Sequence, residues 1–220
     1  MILETREAPP FYKNGFVLGC EESRQAVLID PGDEVEQLLE VVREQRLDVR
    51  HILLTHAHVD HVAGLTAARK QLGAPIWLHA ADLPLYKAAL TQARFFGFTI
   101  DPPPPVDRFY EDRAAIEFGT YRAEVLHTPG HTPGGVCLLV GPAGKPGKKL
   151  FAGDTLFAGS IGRTDLPGGD HDTLIGSIRG VLFQLSDDVE VYPGHGARTM
   201  IGQERRTNPF LTGGGRERNP

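Results

Sequence analysis

The sequence has few cysteines, no long basic run and no long apolar run, and each absence excludes a class of protein. Two cysteines among 220 residues, Cys20 and Cys137, are too few for a disulfide framework or a thiolate zinc cluster. They fit a reducing compartment, which favours a cytoplasmic location. Because 23 Lys and Arg stand against 28 Asp and Glu, with no basic cluster, we expect no nucleic-acid partner.

Membrane insertion and secretion are not expected either. No stretch reaches the roughly 18 consecutive apolar residues that a membrane span requires. The segment from Met1 to Tyr12 carries Glu4, Arg6 and Glu7 and has no apolar run of the signal-peptide kind. The apolar fraction of 40% is nevertheless sufficient for a folded core.

Short apolar runs and helical patterns alternate in both halves of the chain. Apolar runs predict strands at 16–18, 26–29, 52–54, 76–78, 121–126, 136–140, 150–152 and 189–192. Apolar spacing of three and four residues predicts helices at 35–42, 62–72, 80–90, 174–185 and 200–206, and a loop with four prolines at 97–106. Two halves of this kind predict two mixed sheets with helices outside. Since no linker divides them, we expect one domain over 1–220, with a flexible tail from about 212 to 220.

The densest chemical signal is the segment Thr55-His56-Ala57-His58-Val59-Asp60-His61, which lies between a predicted strand and a predicted helix. In an extended segment residues i and i+2 lie on one side, whereas a helix would place His56 and His58 on opposite faces. The two imidazoles can therefore converge on a strand-to-helix loop. Asp60 and His61 would then stand at the start of the helix.

Three further candidate ligands stand at the ends of predicted strands, each beside glycine: His131, Asp154 and His195. Glycine permits the tight turns that bring such groups together. Imidazoles and carboxylates without a thiolate suit zinc or iron. Seven donors are too many for one tetrahedral ion, so the set predicts two ions that share a bridge.

On these residues the sequence resembles the metallo-β-lactamase superfamily, over about Val17 to Leu211. The resemblance implies an αββα sandwich, with two mixed β-sheets packed face to face, helices outside, and metals at one edge between the sheets. It implies ligands for the first metal (His56, His58, His131), ligands for the second metal (Asp60, His61, His195) and a bridging ligand, Asp154.

Within the superfamily the sequence resembles the glyoxalase II group, the hydroxyacylglutathione hydrolases, in their short single-domain bacterial form. The resemblance rests on the segments 153–157, 162–165, 169–171, 193–196 and 207–211. True β-lactamases of the superfamily usually lack a carboxylate at the position of Asp154 and a histidine at that of His61, so antibiotic hydrolysis is not expected. The implied substrate is a small-molecule thioester such as S-lactoylglutathione, and the implied cofactors are two divalent ions, with zinc expected and iron or manganese as alternatives.

The expected binding of glutathione departs from the family pattern. Typical members carry a C-terminal helical domain that helps bind glutathione, and only 25 residues follow His195 here, so we expect no such domain. A Lys and a Tyr that contact glutathione in those enzymes are replaced by Arg163 and Asp165. Arg163 can bind a carboxylate and Asp165 would repel one. His171, in the same loop region, is a weaker candidate for substrate binding.

The resemblance also suggests a mechanism. Two ions about 3.5–4 Å apart would lower the pKa of a bridging water, and the resulting hydroxide would attack the thioester carbonyl. A thiolate leaves without a dedicated acid, because a thiol has a pKa of about 8.5. The expected catalytic carboxylates are Asp154, which bridges the ions, and Asp60, which could orient the water or accept its proton.

Other functions stay open at this point. The main alternative is a persulfide dioxygenase of the same superfamily, which acts on glutathione persulfide with one iron bound at positions matching His56, His131 and Asp154. Those enzymes usually have Ala-His-Asp-Tyr where this chain has Gly194-His195-Gly196-Ala197, which favours the hydrolase. Non-catalytic metal binding is disfavoured because structural zinc sites are usually closed. Lactone or phosphodiester hydrolysis remains open, and the sequence does not predict the oligomeric state.

Several remaining residues have two interpretations. Phe95, Phe96 and Phe98 could line a substrate pocket or pack in the core. Thr55 and Thr132 could hydrogen-bond around the ligands or only cap local structure. Structural or surface roles are expected for the other histidines, which are His51, His79 and His127.

Overall fold

The computed structural model describes residues 1–144 and 147–212. Its strands are β1 (Ile2–Ala8), β2 (Lys13–Gly19), β3 (Gln25–Ile29), β4 (Asp48–Leu53), β5 (Ile76–Leu78), β6 (Arg108–Phe109), β7 (Ala115–Phe118), β8 (Tyr121–His127), β9 (Val136–Pro142), β10 (Lys149–Gly153), β11 (Leu156–Phe157), β12 (Ser160–Ile161), β13 (Glu190–Pro193) and β14 (Thr199–Met200). Its α-helices are α1 (Val35–Glu44), α2 (Val59–Val62), α3 (Leu65–Leu72), α4 (Leu83–Lys87), α5 (Ala89–Phe95), α6 (His171–Gly180) and α7 (Ile201–Thr207), with 3₁₀ turns at Ala80–Asp82 and Leu182–Gln184.

Two six-stranded sheets form the centre of the molecule. The first runs β1-β2-β3-β4-β5-β6, antiparallel up to β3 and parallel from β3 to β6. The second runs β14-β13-β10-β9-β8-β7, in which β10 and β13 are parallel and the other pairs are antiparallel. Both sheets are mixed, as the sequence predicts.

The alternation of side chains along the strands explains the four layers. In β2, Phe16 and Leu18 pack between the two sheets, whereas Val17 packs towards the outer helices. In β9, Leu138 faces the other sheet and Leu139 faces the helical layer that includes α6. Because successive side chains point to opposite faces of a strand, the inner strands of both sheets are buried on both faces. The result is the expected helix–sheet–sheet–helix sandwich.

The strand and helix predictions hold for the long apolar segments, with differences at the breaks. The predicted helix at 62–72 is two helices, α2 and α3, and ends at Gly73 in a left-handed conformation. The predicted helix at 80–90 is divided into a 3₁₀ turn, α4 and α5, and the stripe at 174–185 leaves α-helical geometry after Gly180. The flexible tail that the sequence predicts from about 212 to 220 lies outside the described residues, which end at Thr212. Among the described helices, none has the length and apolar character needed to cross a bilayer.

Candidate metal centre and its cavity

The loop after β4 and the short helix α2 that follows it carry four of the seven predicted ligands. His56 and His58 follow the end of β4, and His58 has an extended backbone (φ −68°, ψ 150°) immediately before α2. Asp60 and His61 lie in α2 itself. The rings of His56, His58 and His61 are buried. The extended loop therefore brings its histidines to one side, as the i, i+2 spacing predicts.

The second sheet supplies the other three predicted ligands. His131 follows β8, Asp154 follows β10 and His195 follows β13. Since β10 and β13 are parallel neighbours, their carboxyl ends meet at one edge of the sheet. Asn14 of the first sheet fastens this edge: its backbone N–H donates to Gly194 O at 2.6 Å, and its side chain donates to Pro193 O at 3.0 Å.

The seven side chains converge. Their donor atoms form three groups, each with all atoms within 4.8 Å of one another: His56, His58 and His131; His56, His61 and Asp154; and Asp60, His61 and His195. Asp154 Oδ1 lies 3.4 Å from His61 Nε2, and Asp154 Oδ2 lies 3.6 Å from the Nε2 atoms of both His131 and His195. Asp154 thus lies near members of both predicted ligand sets, His131 of the first and His61 and His195 of the second.

Hydrogen bonds fix which nitrogen each buried imidazole turns towards the cluster. Thr55 Oγ1 donates to Asp30 Oδ2 at 2.6 Å, so it can only accept from His56 Nδ1, which lies 3.1 Å away. Asp30 Oδ2 also lies 2.9 Å from His61 Nδ1 and accepts its proton. Both rings are therefore left with an unprotonated Nε2 facing inwards when they are neutral.

His131 is oriented in the same way by a backbone carbonyl. Its Nδ1 donates to Arg163 O at 2.7 Å, which leaves Nε2 as the free atom. That atom lies 2.8 Å from His58 Nδ1. Two imidazole nitrogens at this distance need a proton or a cation between them, because their lone pairs otherwise repel.

Buried polar atoms without a hydrogen-bond partner show whether the clustered residues fit a metal ion. His56 Nε2, His61 Nε2 and Asp154 Oδ1 are buried and have no hydrogen-bond partner among the described residues. Buried polar atoms are costly when unpaired, so a set of three facing one point indicates a bound ligand. The donors are nitrogen and oxygen only, which suits zinc, iron or manganese.

The charge states of the clustered imidazoles and carboxylates also indicate a bound cation. Burial lowers the pKa of His56 and, to about 3, that of His58, so both are neutral ligands at physiological pH. Burial opposes protonation of His61, but Asp60 and two further carboxylates outweigh it and raise its pKa. Burial would raise the pKa of Asp154, yet the imidazole of His61 and its neighbours hold it below its ordinary value. The carboxylates therefore remain charged in a buried place, where a cation stabilises them.

Asp82, from the 3₁₀ turn before α4, holds the ligand loop in place by hydrogen bonds. Its carboxylate accepts from Ala57 N at 3.0 Å, from Gly134 N at 2.6 Å and from Thr132 Oγ1 at 2.9 Å. Burial raises the pKa of this carboxyl, against the three hydrogen bonds that favour its charged form. Asp82 thus joins the loop of the first half to the His131 turn of the second.

A buried ion pair holds the turn that carries Asp30. Lys13 Nζ lies 2.6 Å from Glu34 Oε1 and also donates to Asp30 O, and all three residues are buried. Glu34 Oε1 accepts in addition from Gly32 N at 2.9 Å. The pair fixes the backbone around Asp30, whose carboxylate orients the two imidazoles.

The strand ends of the second half approach each other too closely for side chains at two glycines. A Cβ at Gly194 would overlap Asp154 Oδ1 and stand 2.8 Å from His61 Cε1. Gly153 has a φ of 47°, and a Cβ there would overlap Thr55. Glycine is needed at Gly194 because predicted ligands occupy that space, and at Gly153 because Thr55 occupies it and the backbone has a positive φ.

A cavity of about 500 Å³ opens beside the cluster. Its floor includes predicted ligands of both groups, among them Asp60, His131 and Asp154. Its walls are largely apolar, and Phe95 and Phe96 of the α5 end contribute to them. The cluster is therefore accessible from outside, unlike a closed structural metal site.

The two predicted substrate-binding residues differ in position. Arg163 lines the cavity, and its guanidinium forms two 2.7 Å hydrogen bonds with the carboxylate of Asp165. His171 is the exposed first residue of α6 and is not among the residues that line the cavity. The structure thus brings Arg163 to the cluster and leaves His171 away from the cavity wall.

The structure gives positions for the phenylalanines and threonines that had two interpretations from the sequence. Phe95 and Phe96 line the cavity, whereas Phe98 packs edge-to-face on Phe11 at 5.3 Å. Thr55 and Thr132 hydrogen-bond around the ligands, as described. The other histidines lie apart from the cluster: His51 accepts from the indole N–H of Trp77, and His79 stacks on His127 with centroids 4.2 Å apart.

Sequence reasoning missed the residues that support the ligands. Asp30 stands in turn-like sequence, Asp82 lies in the predicted helix at 80–90, and Asn14 lies inside a strand. A signal was present for Asp30, which directly follows the apolar run 26–29, the same placement that marked Asp154. Asp82 and Asn14 carried no such signal, because their partners are distant in sequence and most of them are backbone groups.

The chain matches known proteins over most of its length. The family model described as the metallo-beta-lactamase superfamily matches residues 8–195. The hydroxyacylglutathione hydrolase GloC of Haemophilus influenzae is 40% identical over 198 residues, which cover 87% of this chain and 89% of that protein. The probable metallo-hydrolase YqgX of Bacillus subtilis is 35% identical over 205 residues, which cover 93% and 94%.

Solved structures show the same similarity in three dimensions. The crystal structure of TTHA1623 in a di-iron-bound form has a TM-score of 0.82 and 41% identity, covering 94% of this chain and all of that one. The BLEG-1 B3 metallo-beta-lactamase has a TM-score of 0.85 and 36% identity, covering 96% and 100%. ETHE1 from Myxococcus xanthus has a TM-score of 0.79 and 30% identity, covering 97% and 85%. The similarity includes the regions that carry all seven clustered side chains.

Proposed function

The chain belongs to the metallo-beta-lactamase superfamily, and from that premise we propose that it is a binuclear metal-dependent hydrolase of thioesters such as S-lactoylglutathione. The observation that carries the proposal is the set of seven converging imidazoles and carboxylates, with unpaired buried atoms, at the floor of an open cavity. The similarity to a hydroxyacylglutathione hydrolase supports the thioester, and the di-iron form of a similar structure supports two ions.

The proposal assigns His56, His58 and His131 to one ion, Asp60, His61 and His195 to the other, and Asp154 to both. Bound ions of this class supply Lewis acidity, which lowers the pKa of water and polarises a carbonyl. The residues around them supply orientation. Thr55 and Asp30 hold His56 and His61 with Nε2 turned inwards, and the carbonyl of Arg163 does the same for His131.

Asp60 is the residue that we propose to handle the proton of the attacking water. It lines the cavity, and its Oδ2 lies 3.1 Å from His195 Nε2. Burial would raise the pKa of its carboxyl, but His61 and the hydrogen bond from His195 lower it, so Asp60 is ionised at neutral pH. An ionised carboxylate can orient the water and accept its proton.

The reaction needs no further acid from the protein. Water adds to the thioester carbonyl carbon, the C–S bond then breaks, and the products are a carboxylate and a thiolate. Because the thiol has a pKa of about 8.5, the thiolate leaves and takes a proton from solvent afterwards. A site whose polar groups are nearly all ligands therefore suffices for this chemistry.

The test is hydrolysis of S-lactoylglutathione by one preparation, with and without oxygen, with its metals quantified. We expect cleavage that does not depend on oxygen and close to two metals per chain. Asp154→Ala should reduce kcat/KM by about 10³-fold or more and lower the metal content, because it removes the shared ligand. The matched control is Asp165→Ala, an exposed carboxylate near the cavity, which should retain the full metal content.

Three outcomes would contradict the proposal. Oxygen consumption with glutathione persulfide and one iron per chain would assign the chain to the dioxygenase alternative. Cleavage of a β-lactam in preference to every thioester would move it towards the function named for BLEG-1. Full activity and metal content in Asp154→Ala would remove the assigned site itself.

A further inference from the structure

The cavity beside the cluster has a wall that the proposed chemistry does not use. Phe95 and Phe96 stand at the end of α5 with exposed fractions of 80% and 44%. Their rings meet edge-to-face at 5.2 Å, and Phe96 meets Phe11 in the same way at 5.7 Å. Neighbouring exposed aromatic rings form a contiguous apolar patch, and such a patch beside a cavity is typical of a ligand-binding surface.

This wall is fixed relative to the metal loop. Gln92 of α5 accepts from Val59 N at 3.2 Å through Oε1 and donates through Nε2 to Leu85 O at 2.9 Å and to Ala57 O at 3.4 Å. Val59 and Ala57 flank His58 in the ligand loop. The aromatic wall and the cluster are thus held together by one side chain, so the distance between them is set by the fold.

The side chains that line the cavity offer little to the carboxylates of a ligand. Among the described residues that line it, Arg163 is the only Lys or Arg, and its guanidinium is already engaged by both carboxylate oxygens of Asp165. Glutathione carries two carboxylates and one ammonium group. Because the guanidinium of Arg163 is already paired, the described cavity lining has no free Lys or Arg to bind these carboxylates, whereas its apolar walls can contact a hydrocarbon group.

We propose that the substrates of this site are thioesters with an apolar arm, an aromatic or medium-chain alkyl group that packs on Phe95 and Phe96 while its carbonyl lies at the cluster. This inference rests on the proposed thioester hydrolysis and narrows its substrate class. The cavity volume of about 500 Å³ is within the range of small-molecule pockets. The arm gains affinity by leaving water, in proportion to its buried area.

The first measurement is kcat/KM for two series of uncharged thioesters: N-acetylcysteamine thioesters from acetyl to octanoyl, and acetyl thioesters of alkanethiols of rising length. We expect about a twofold to fourfold gain per buried methylene in one of the two series. Phe95→Ala and Phe96→Ala should reduce this gain to below about 1.5-fold per methylene, so that their deficit relative to the wild type grows with chain length. Phe109→Ala is the matched control, since Phe109 is 46% exposed and lies outside this cavity.

The second measurement does not need turnover. Calorimetry on the metal-loaded protein should show that straight-chain carboxylates or alkanethiols, the two product classes, bind more tightly as the chain grows, and that the two variants lose this trend. A binding trend without thioester cleavage would retain the apolar arm and reject the proposed function. Cleavage without a chain-length trend in either measurement would retain the function and reject the arm.

Two further results would overturn the inference. Charged S-lactoylglutathione exceeding every uncharged thioester in kcat/KM would show that the polar part of the substrate is recognised instead. Light scattering that shows a dimer for the wild type and a monomer for Phe95→Ala would assign the aromatic wall to a second copy of the chain.

Discussion

The two halves of the molecule deliver metal ligands by different physical means. The first half, built on the sheet β1–β6, supplies four ligands from one continuous segment, the loop after β4 and helix α2. Two buried carboxylates, Asp30 and Asp82, hold this segment by hydrogen bonds. The second half supplies three ligands from three separate turns, which are held by close backbone approach at glycines such as Gly194. The difference means that two kinds of substitution should disturb the same site. The first half is sensitive to lost acceptors and the second half to added volume.

Among changes outside the predicted ligands, the largest effect is expected from Gly194→Ala in the second half. The added methyl would overlap Asp154 Oδ1 and press on His61, so the shared ligand must move. A displacement of about 1 Å in such a site costs about 10²-fold in rate. We therefore expect kcat/KM to fall at least this far and the metal content to fall below that of the wild type. Metal analysis and steady-state kinetics measure both.

Gly176→Ala is the control in the same half. No atom lies within 4 Å of its added Cβ, and the residue is in the middle of α6, so this change should stabilise the protein slightly. Equal kinetics of Gly194→Ala and wild type would contradict the role of close approach.

A smaller effect is expected from Asp30→Asn in the first half. The carboxylate accepts from Thr55 N at 2.7 Å, Thr55 Oγ1 and His61 Nδ1, and an amide would turn an N–H against one of these donors. Groups that orient metal-bound imidazoles contribute about 10- to 100-fold to metal affinity, so competition with a chelator should show a loss of this size. Asp101→Asn, on an exposed loop, should show none. Unchanged affinity would mean that the imidazoles hold their orientation without Asp30.

Asp82→Asn should separate stability from metal affinity. Its carboxylate accepts from Ala57 N, Gly134 N and Thr132 Oγ1 but from no imidazole. We expect the metal-free protein to lose about 1–3 kcal/mol of unfolding free energy, because a buried donor is left without an acceptor. The loss of metal affinity should be smaller than for Asp30→Asn. Denaturant unfolding and chelator competition on the same samples test the order, and the reverse order would refute the assignment of the two carboxylates.

The same contrast explains how much of the site could be predicted from the sequence. The loop of the first half is visible because its histidines and aspartate are contiguous and follow an apolar strand. His131, Asp154 and His195 are visible because each follows a strand end beside glycine. Asp82 is not visible in this way, because its role depends on backbone groups 25 and 52 residues away.

Secondary structure was predictable where the local sequence pattern determines it, and not where pairing with a distant strand determines it. The buried strands β3, β4 and β9 are short apolar runs, and the structure confirms them. Strand β1 (Ile2–Ala8) lies at the edge of the sheet and has four consecutive polar residues, from Glu4 to Glu7, so its sequence does not distinguish it from a loop. Strand β6 has only two residues and exists because it pairs with β5. Such elements depend on tertiary contacts that no local window contains.

The smallest effect concerns pH and lies away from the cluster, at the pair of Arg69 in α3 and Asp107 before β6. Arg69 donates to both oxygens of Asp107, at 2.5 and 2.9 Å, and Ile76 N donates to the same carboxylate at 2.8 Å. The hydrogen bond from Arg69 is the main cause that lowers the pKa of Asp107. A lowered folded-state pKa gives stability that is present above the unfolded value, about 3.9, and is lost as the pH falls through the folded value.

Arg69→Gln should therefore destabilise the protein above about pH 4 and make less difference below it. Both side chains are about one-third exposed, so solvent screening limits the difference to about 0.5–1 kcal/mol. Denaturant unfolding at intervals from pH 7 to pH 3 measures it, with Arg50→Gln as the control at a more exposed pair. A difference that stays constant across this range would mean that Arg69 stabilises the fold by packing, or through its bond to Ala74 O, and not through the charge of Asp107.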